Sequence, residues 1–121
     1  STKAEIDYIL SEAGCRFCLD IGHAICSACS QEAEPYAYVE ELCEFNPAMF
    51  HLSDVTKLRS PYDTHDHLGS GELDLGFVLS SILPENALVS LETDKDSPDN
   101  LDDFRRDVLY FRDFEKRGSL R

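Results

Sequence analysis

The chain has 121 residues and a formal charge of −13, from 24 acidic and 11 basic side chains, with 42% hydrophobic residues. That length holds one modest domain, residues 1–121, and the composition is that of an ordinary globular protein without the roughly 18 uninterrupted apolar residues of a membrane span. So acidic a surface repels phosphate backbones and attracts cations, which weighs against nucleic acid as a partner.

The first predicted element is a helix from Lys3 to Ala13, where Ile6, Ile9, Leu10 and Ala13 recur at helical spacing and Gly14 supplies a stop. Its acidic residues lie where a secretory leader needs a basic flank and an apolar core, so a cytoplasmic location is expected. CRFCLDIGH then fits a short buried strand ending near Asp20. After a polar stretch, PYAYVEELCEFN predicts a helix opened by Pro35 and closed by Asn46-Pro47. AMFHLSD predicts the second strand, and a long loop runs from Val55 to Gly71. Leu75, Val78, Leu79 and Ile82 mark a short helix that Asp74 can cap and Pro84 ends. ALVSLETD predicts the third strand. The last helix begins near Asn100, with Leu101, Phe104, Val108 and Phe111 on one face and Gly118 just beyond it.

This alternation implies parallel strands joined by right-handed crossovers. The fold class expected is α/β: a partial (β/α) TIM barrel of three parallel βα units preceded by one helix. Parallel strands need both faces covered, and three strands with helices on one side leave the other bare. A whole barrel needs about 250 residues. The expectation is therefore that a missing barrel half, or other copies in a homo-oligomer, covers the sheet.

Each strand ends its apolar run with a metal-capable side chain: Asp20, His51 and Glu92. Barrels of this kind carry their reactive groups at the C-terminal strand ends. Side chains two apart share a strand face, so Cys18, Met49 and Ser90 form the layer beneath. Two inward carboxylates call for a cation, and one imidazole with two carboxylates suits Mn²⁺, Zn²⁺, Mg²⁺ or Fe²⁺. Each residue alone is more often a solvated carboxylate or a satisfied histidine; the signal lies in three equivalent strand positions. A second set comprises His23, three residues after Asp20, with Asp63 and His65 of D-T-H, whose side chains point the same way in extended backbone. These three either hold another ion, bind substrate hydroxyls or phosphate, or only hydrogen-bond the loop. His67 reads as surface.

Five cysteines, an odd number, read as reduced thiols rather than a disulfide framework. Cys15-x-x-Cys18 and Cys26-x-x-Cys29 spell a four-thiolate zinc site, but Cys18 belongs to a strand and residues three apart there face opposite ways. Buried or incidental thiols are the simpler reading. Tyr36, Tyr38 and the phenylalanines of the last helix read as core and rim packing.

D-I-G-H-A after the first strand, F-H-L-S-D at the second, D-T-H-D-H-L-G-S-G-E-L-D in the loop and L-E-T after the third resemble the xylose isomerase-like barrel superfamily. The resemblance spans essentially all 121 residues and corresponds to the last three βα units of that barrel. The superfamily holds sugar (phosphate) isomerases and epimerases and the endonuclease IV type of abasic-site nuclease. In the first branch the resemblance implies Asp20, His51 and Glu92 as three of four ligands to a Mn²⁺-like ion, the fourth being a glutamate this sequence lacks. Glu92 would then be one of two catalytic glutamates moving a proton beside a carbonyl, and His23 would contact the sugar or sugar phosphate. In the nuclease branch His23, Asp63 and His65 match the ligands of one zinc in a three-zinc cluster, and Asp20, His51 and Glu92 match part of another zinc's shell, with abasic DNA as partner. The net charge favours the sugar-type enzyme, whereas the D-x-x-H and D-x-H pair favours the nuclease. A non-catalytic metal-binding barrel is the third reading.

Overall fold

The computed structural model describes residues 2–119. Its elements are α1 (Lys3–Ala13), β1 (Cys18–Asp20), α2 (Ile21–Ser30), α3 (Pro35–Cys43), β2 (Met49–Leu52), α4 (Leu75–Phe77), β3 (Val89–Leu91) and α5 (Asp102–Ser119). Helix α4 is a single turn that Asp74 caps by accepting from the Phe77 amide, and it widens into a π-helical turn over Val78–Ile82. The described residues thus form an α/β unit with a three-stranded parallel sheet and five helices.

The segment after Asp20, expected as a polar connection, is helix α2. Ile21, Ala24, Ile25 and Ala28 stand at helical spacing and are all buried. Gly22 and the serines and cysteines between them dilute that pattern in the sequence. Asp20 itself caps the helix, its Oδ1 accepting from the His23 amide at 3.0 Å, so β1 passes into α2 with no loop.

Parallel pairing in the order β1-β2-β3 sets Asp20 opposite His51, and His51 opposite Ser90. The strand alternation then sorts the side chains. Leu19, Phe50 and Leu52 are buried with Ile25, Val39 and Val78 in one apolar core. Cys18, Asp20, Met49, His51 and Ser90 take the opposite face and stay partly or fully open. Tyr38 is buried, and Tyr36 packs edge-on against Phe77 while its hydroxyl accepts from the Asp74 amide at 2.8 Å.

The loop between β2 and α4 is organised by Asp54, 1% exposed. Its Oδ1 accepts from the Val55 and Leu73 amides and its Oδ2 from the Gly69 amide, at 2.8–2.9 Å. The chain passes so close at Gly71 that a Cβ there would stand 2.1 Å from the Val55 carbonyl oxygen.

Helix α5 departs from its expected form at both ends. It starts at Asp102 and contains Gly118, and Leu101 is exposed. Its apolar residues Phe104, Val108 and Phe111 are only partly buried, whereas Asp103 and Asp107, one turn apart, are the buried ones. The four cysteines of the two C-x-x-C pairs remain free thiols, and no cysteine belongs to a metal-capable cluster among the described residues.

Candidate metal centre at the strand ends

The register delivers three side chains to one place. The His51 imidazole stands between two carboxylates, its Nδ1 3.9 Å from Asp20 Oδ2 and its Nε2 3.7 Å from Glu92 Oε1. Glu92 Oε1 also accepts from the Ser90 hydroxyl at 3.1 Å, which ties it to the strand beneath. The three side chains are neighbours, as the strand-end pattern requires. Their donor atoms are less tightly gathered than one shared ion demands. Opposite ring nitrogens face the two carboxylates, and the three donors do not all come within 4.8 Å of one another. Binding by all three needs the imidazole or a carboxylate to turn.

The second set is built around Asp63, whose side chain is 15% exposed. Its Oδ2 lies 3.5 Å from His65 Nε2 and 3.9 Å from His23 Nδ1. His65 sits at φ 50, a left-handed conformation that costs a non-glycine residue on the order of 1 kcal/mol. Two bonds hold it there: its carbonyl accepts from the Asp94 amide, and its Nδ1 bonds the Glu92 carbonyl oxygen, both at 2.9 Å. A carbonyl only accepts, so Nδ1 carries a proton and the neutral ring presents the Nε2 lone pair toward Asp63. Fixing one nitrogen so that the other can ligate is how proteins orient metal-binding histidines. Burial opposes protonation of His65, but the Glu92 carbonyl and the Asp63, Asp20 and Asp94 carboxylates outweigh it and raise its pKa. Glu92 therefore joins the two sets, its carboxylate facing His51 and its carbonyl facing His65.

Between them lies Gly22. A Cβ on Gly22 would stand 3.0 Å from Ser53 Oγ, 3.2 Å from Asp63 Oδ1 and 3.7 Å from Asp20 Oδ1. Ser53 Oγ and Asp63 Oδ1 are buried without a hydrogen-bond partner. Carboxylates and imidazoles with an orphaned buried oxygen are donor types that suit Mn²⁺ or Zn²⁺, although the donors of His23, Asp63 and His65, like those of the first set, do not all lie within 4.8 Å of one another. Partial desolvation and the charges of Asp20 and Glu92 raise the Cys18 thiol pKa.

His67, expected at the surface, is half-buried in a third cluster. Among the described residues His67, Asp96 and Asp103 form the group whose donors all lie within 4.8 Å of one another, and it could hold a metal ion. The hydrogen bonds also close without one. His67 Nδ1 bonds Asp107 Oδ2 at 2.7 Å and Nε2 bonds Asp96 Oδ1 at 2.8 Å, an arrangement that needs both nitrogens to donate and so a charged ring. The bonds to Asp107 and Asp96 raise the pKa of His67. Asp107 accepts in addition from the Leu68 amide and the Thr93 hydroxyl, and Asp103 from the Asp96 and Phe104 amides. The cluster clips two loops to α5. The one sequence signal for it was a pair of aspartates four apart beside an apolar helix stripe.

No protein-family model matches this chain, and neither the curated proteins nor the solved structures yield a match.

Proposed function

We propose that this chain supplies three βα units of a xylose isomerase-like (β/α) barrel and acts, with the remainder of that barrel or with another copy, as a divalent-metal-dependent isomerase or epimerase of a sugar or sugar phosphate in the cytoplasm. One observation carries the reading: the imidazole of His51 between Asp20 and Glu92, on the sheet face that the helices leave open. Active sites of barrels lie at this end of the strands. Asp20, His51 and Glu92 would hold Mn²⁺ or Zn²⁺, and a bound ion would polarise the substrate's carbonyl and hydroxyl oxygens. Glu92 is the candidate to carry a proton between adjacent carbons, and its bond from Ser90 keeps its carboxylate aimed across the strand ends. His23, in the first turn of α2 and largely exposed, reaches toward substrate. The described residues contain no helix long and apolar enough to cross a membrane.

A second reading has its own support. Asp63 flanked by His23 and His65 makes a separate donor set beside the first, as a multi-zinc phosphodiesterase acting on abasic DNA requires. The acidic surface argues against it, because each phosphate brought to this rim meets carboxylates.

Metal binding separates these from a barrel without turnover. Mn²⁺ titration followed by electron paramagnetic resonance is expected to show binding that His51→Ala weakens at least tenfold; unchanged binding removes the site. Deuterium uptake from solvent beside a sugar-phosphate carbonyl, lost in Glu92→Gln, supports the isomerase. Cleavage of abasic duplex DNA, lost in His65→Ala, establishes the nuclease instead.

A further inference from the structure

The geometry points to Ser53 as the positioning residue for Asp63: its hydroxyl, beside Gly22, donates through one water to Asp63 Oδ1 and so leaves Asp63 Oδ2 to face a divalent ion with His23 and His65. This rests on the metal-binding reading above.

Ser53 is 1% exposed, and its hydroxyl has no partner although it follows Leu52 directly at the end of the central strand. A buried hydroxyl left unbonded costs about 1–3 kcal/mol, and a buried carboxylate oxygen at least as much. Two such atoms flanking one glycine call for a physical explanation. Here both approach one point, 3.0 and 3.2 Å from the place of a Gly22 Cβ. Gly22 leaves the room that lets them meet. The two oxygens of Asp63 are thereby divided, Oδ1 buried beside Gly22 and Oδ2 toward the two histidines. Donors to ligating carboxylates fix their direction, and their loss typically lowers metal affinity 10- to 100-fold. The competing explanation is a hydroxyl tolerated in the core, whose removal changes stability alone.

The test uses Co²⁺ as a spectroscopic stand-in for Zn²⁺, read by its visible absorption, with Zn²⁺ in competition. The wild-type chain is expected to bind, His65→Ala to lose this site, and Ser53→Ala to bind about 10- to 100-fold more weakly in a chain that stays folded. Gly22→Ala is the second variant. In a helix it is favourable by up to about 1 kcal/mol, yet its Cβ intrudes between Ser53 and Asp63, so affinity should fall in a chain that stays folded. Wild-type affinity in a folded Ser53→Ala or Gly22→Ala chain overturns the role of Ser53 and leaves the metal reading intact. No Co²⁺ binding by the wild-type chain overturns both.

Discussion

His67 and Asp54 show how differently a buried ionic group can serve this protein. His67 gains two carboxylate partners on folding, and its pKa rises above the ordinary 6.5. A group with a raised folded pKa stabilises the protein fully below its unfolded value and loses that contribution as pH climbs through the folded one. The melting temperature should therefore decline as pH rises from about 6.5 through the mildly alkaline range, and His67→Gln should flatten much of that decline. His65, shifted in the same direction, contributes a slope of the same sign that survives in His67→Gln. Scanning calorimetry across pH reads both; parallel curves for the two proteins would refute the clip. Asp54 works through its acceptors instead. Asp54→Ala strands three loop amides, each costing about 1–3 kcal/mol when unbonded. Urea unfolding should show a loss of roughly 3 kcal/mol or more, and Asp54→Asn, which keeps one acceptor oxygen, a smaller one.

At the scale of elements, Asp20 serves two structures at once, as the last residue of β1 and the cap of α2. An amide caps a helix about as well as a carboxylate but is a poor ligand for a divalent ion. Asp20→Asn should keep its stability to urea and lose metal affinity, whereas Asp20→Ala should lose both, with about 1 kcal/mol from the cap. Equal stability for the two variants would deny the capping role. The same residue marks the limit of sequence reasoning here. The three strands are legible because each is an apolar run ended by a polar residue, and parallel register then carries Asp20, His51 and Glu92 together. Helix α2 is not legible, because glycine, serine and cysteine blur a periodicity that burial makes plain. Ser53 and Asp103 escape for a related reason: a polar residue beside an apolar stripe looks solvated until the fold closes over it. The direction of the His51 ring is a side-chain torsion, and no spacing rule specifies it.

At the scale of the whole molecule the sheet is uneven. One face holds the core and the other carries Cys18, Met49, His51 and Ser90, with β1 and β3 at the edges. A central parallel strand bonds neighbours on both sides; an edge strand uses half its amides and carbonyls. In a lone chain, amide exchange should therefore be slowest over residues 49–52, where Phe50 donates to the Leu88 carbonyl and Leu52 accepts from the Glu92 amide, and faster over 18–20 and 89–91. Where further strands or a second copy complete the sheet, as the barrel proposal requires, all three strands should be protected alike and the open face should lose its access to solvent. Exchange measured by mass spectrometry at low and high protein concentration distinguishes a single chain from a self-associated one. Edge strands that remain fast in the fullest assembly obtainable would show that the sheet is never closed, and the barrel would have to be given up even if His51 binds metal.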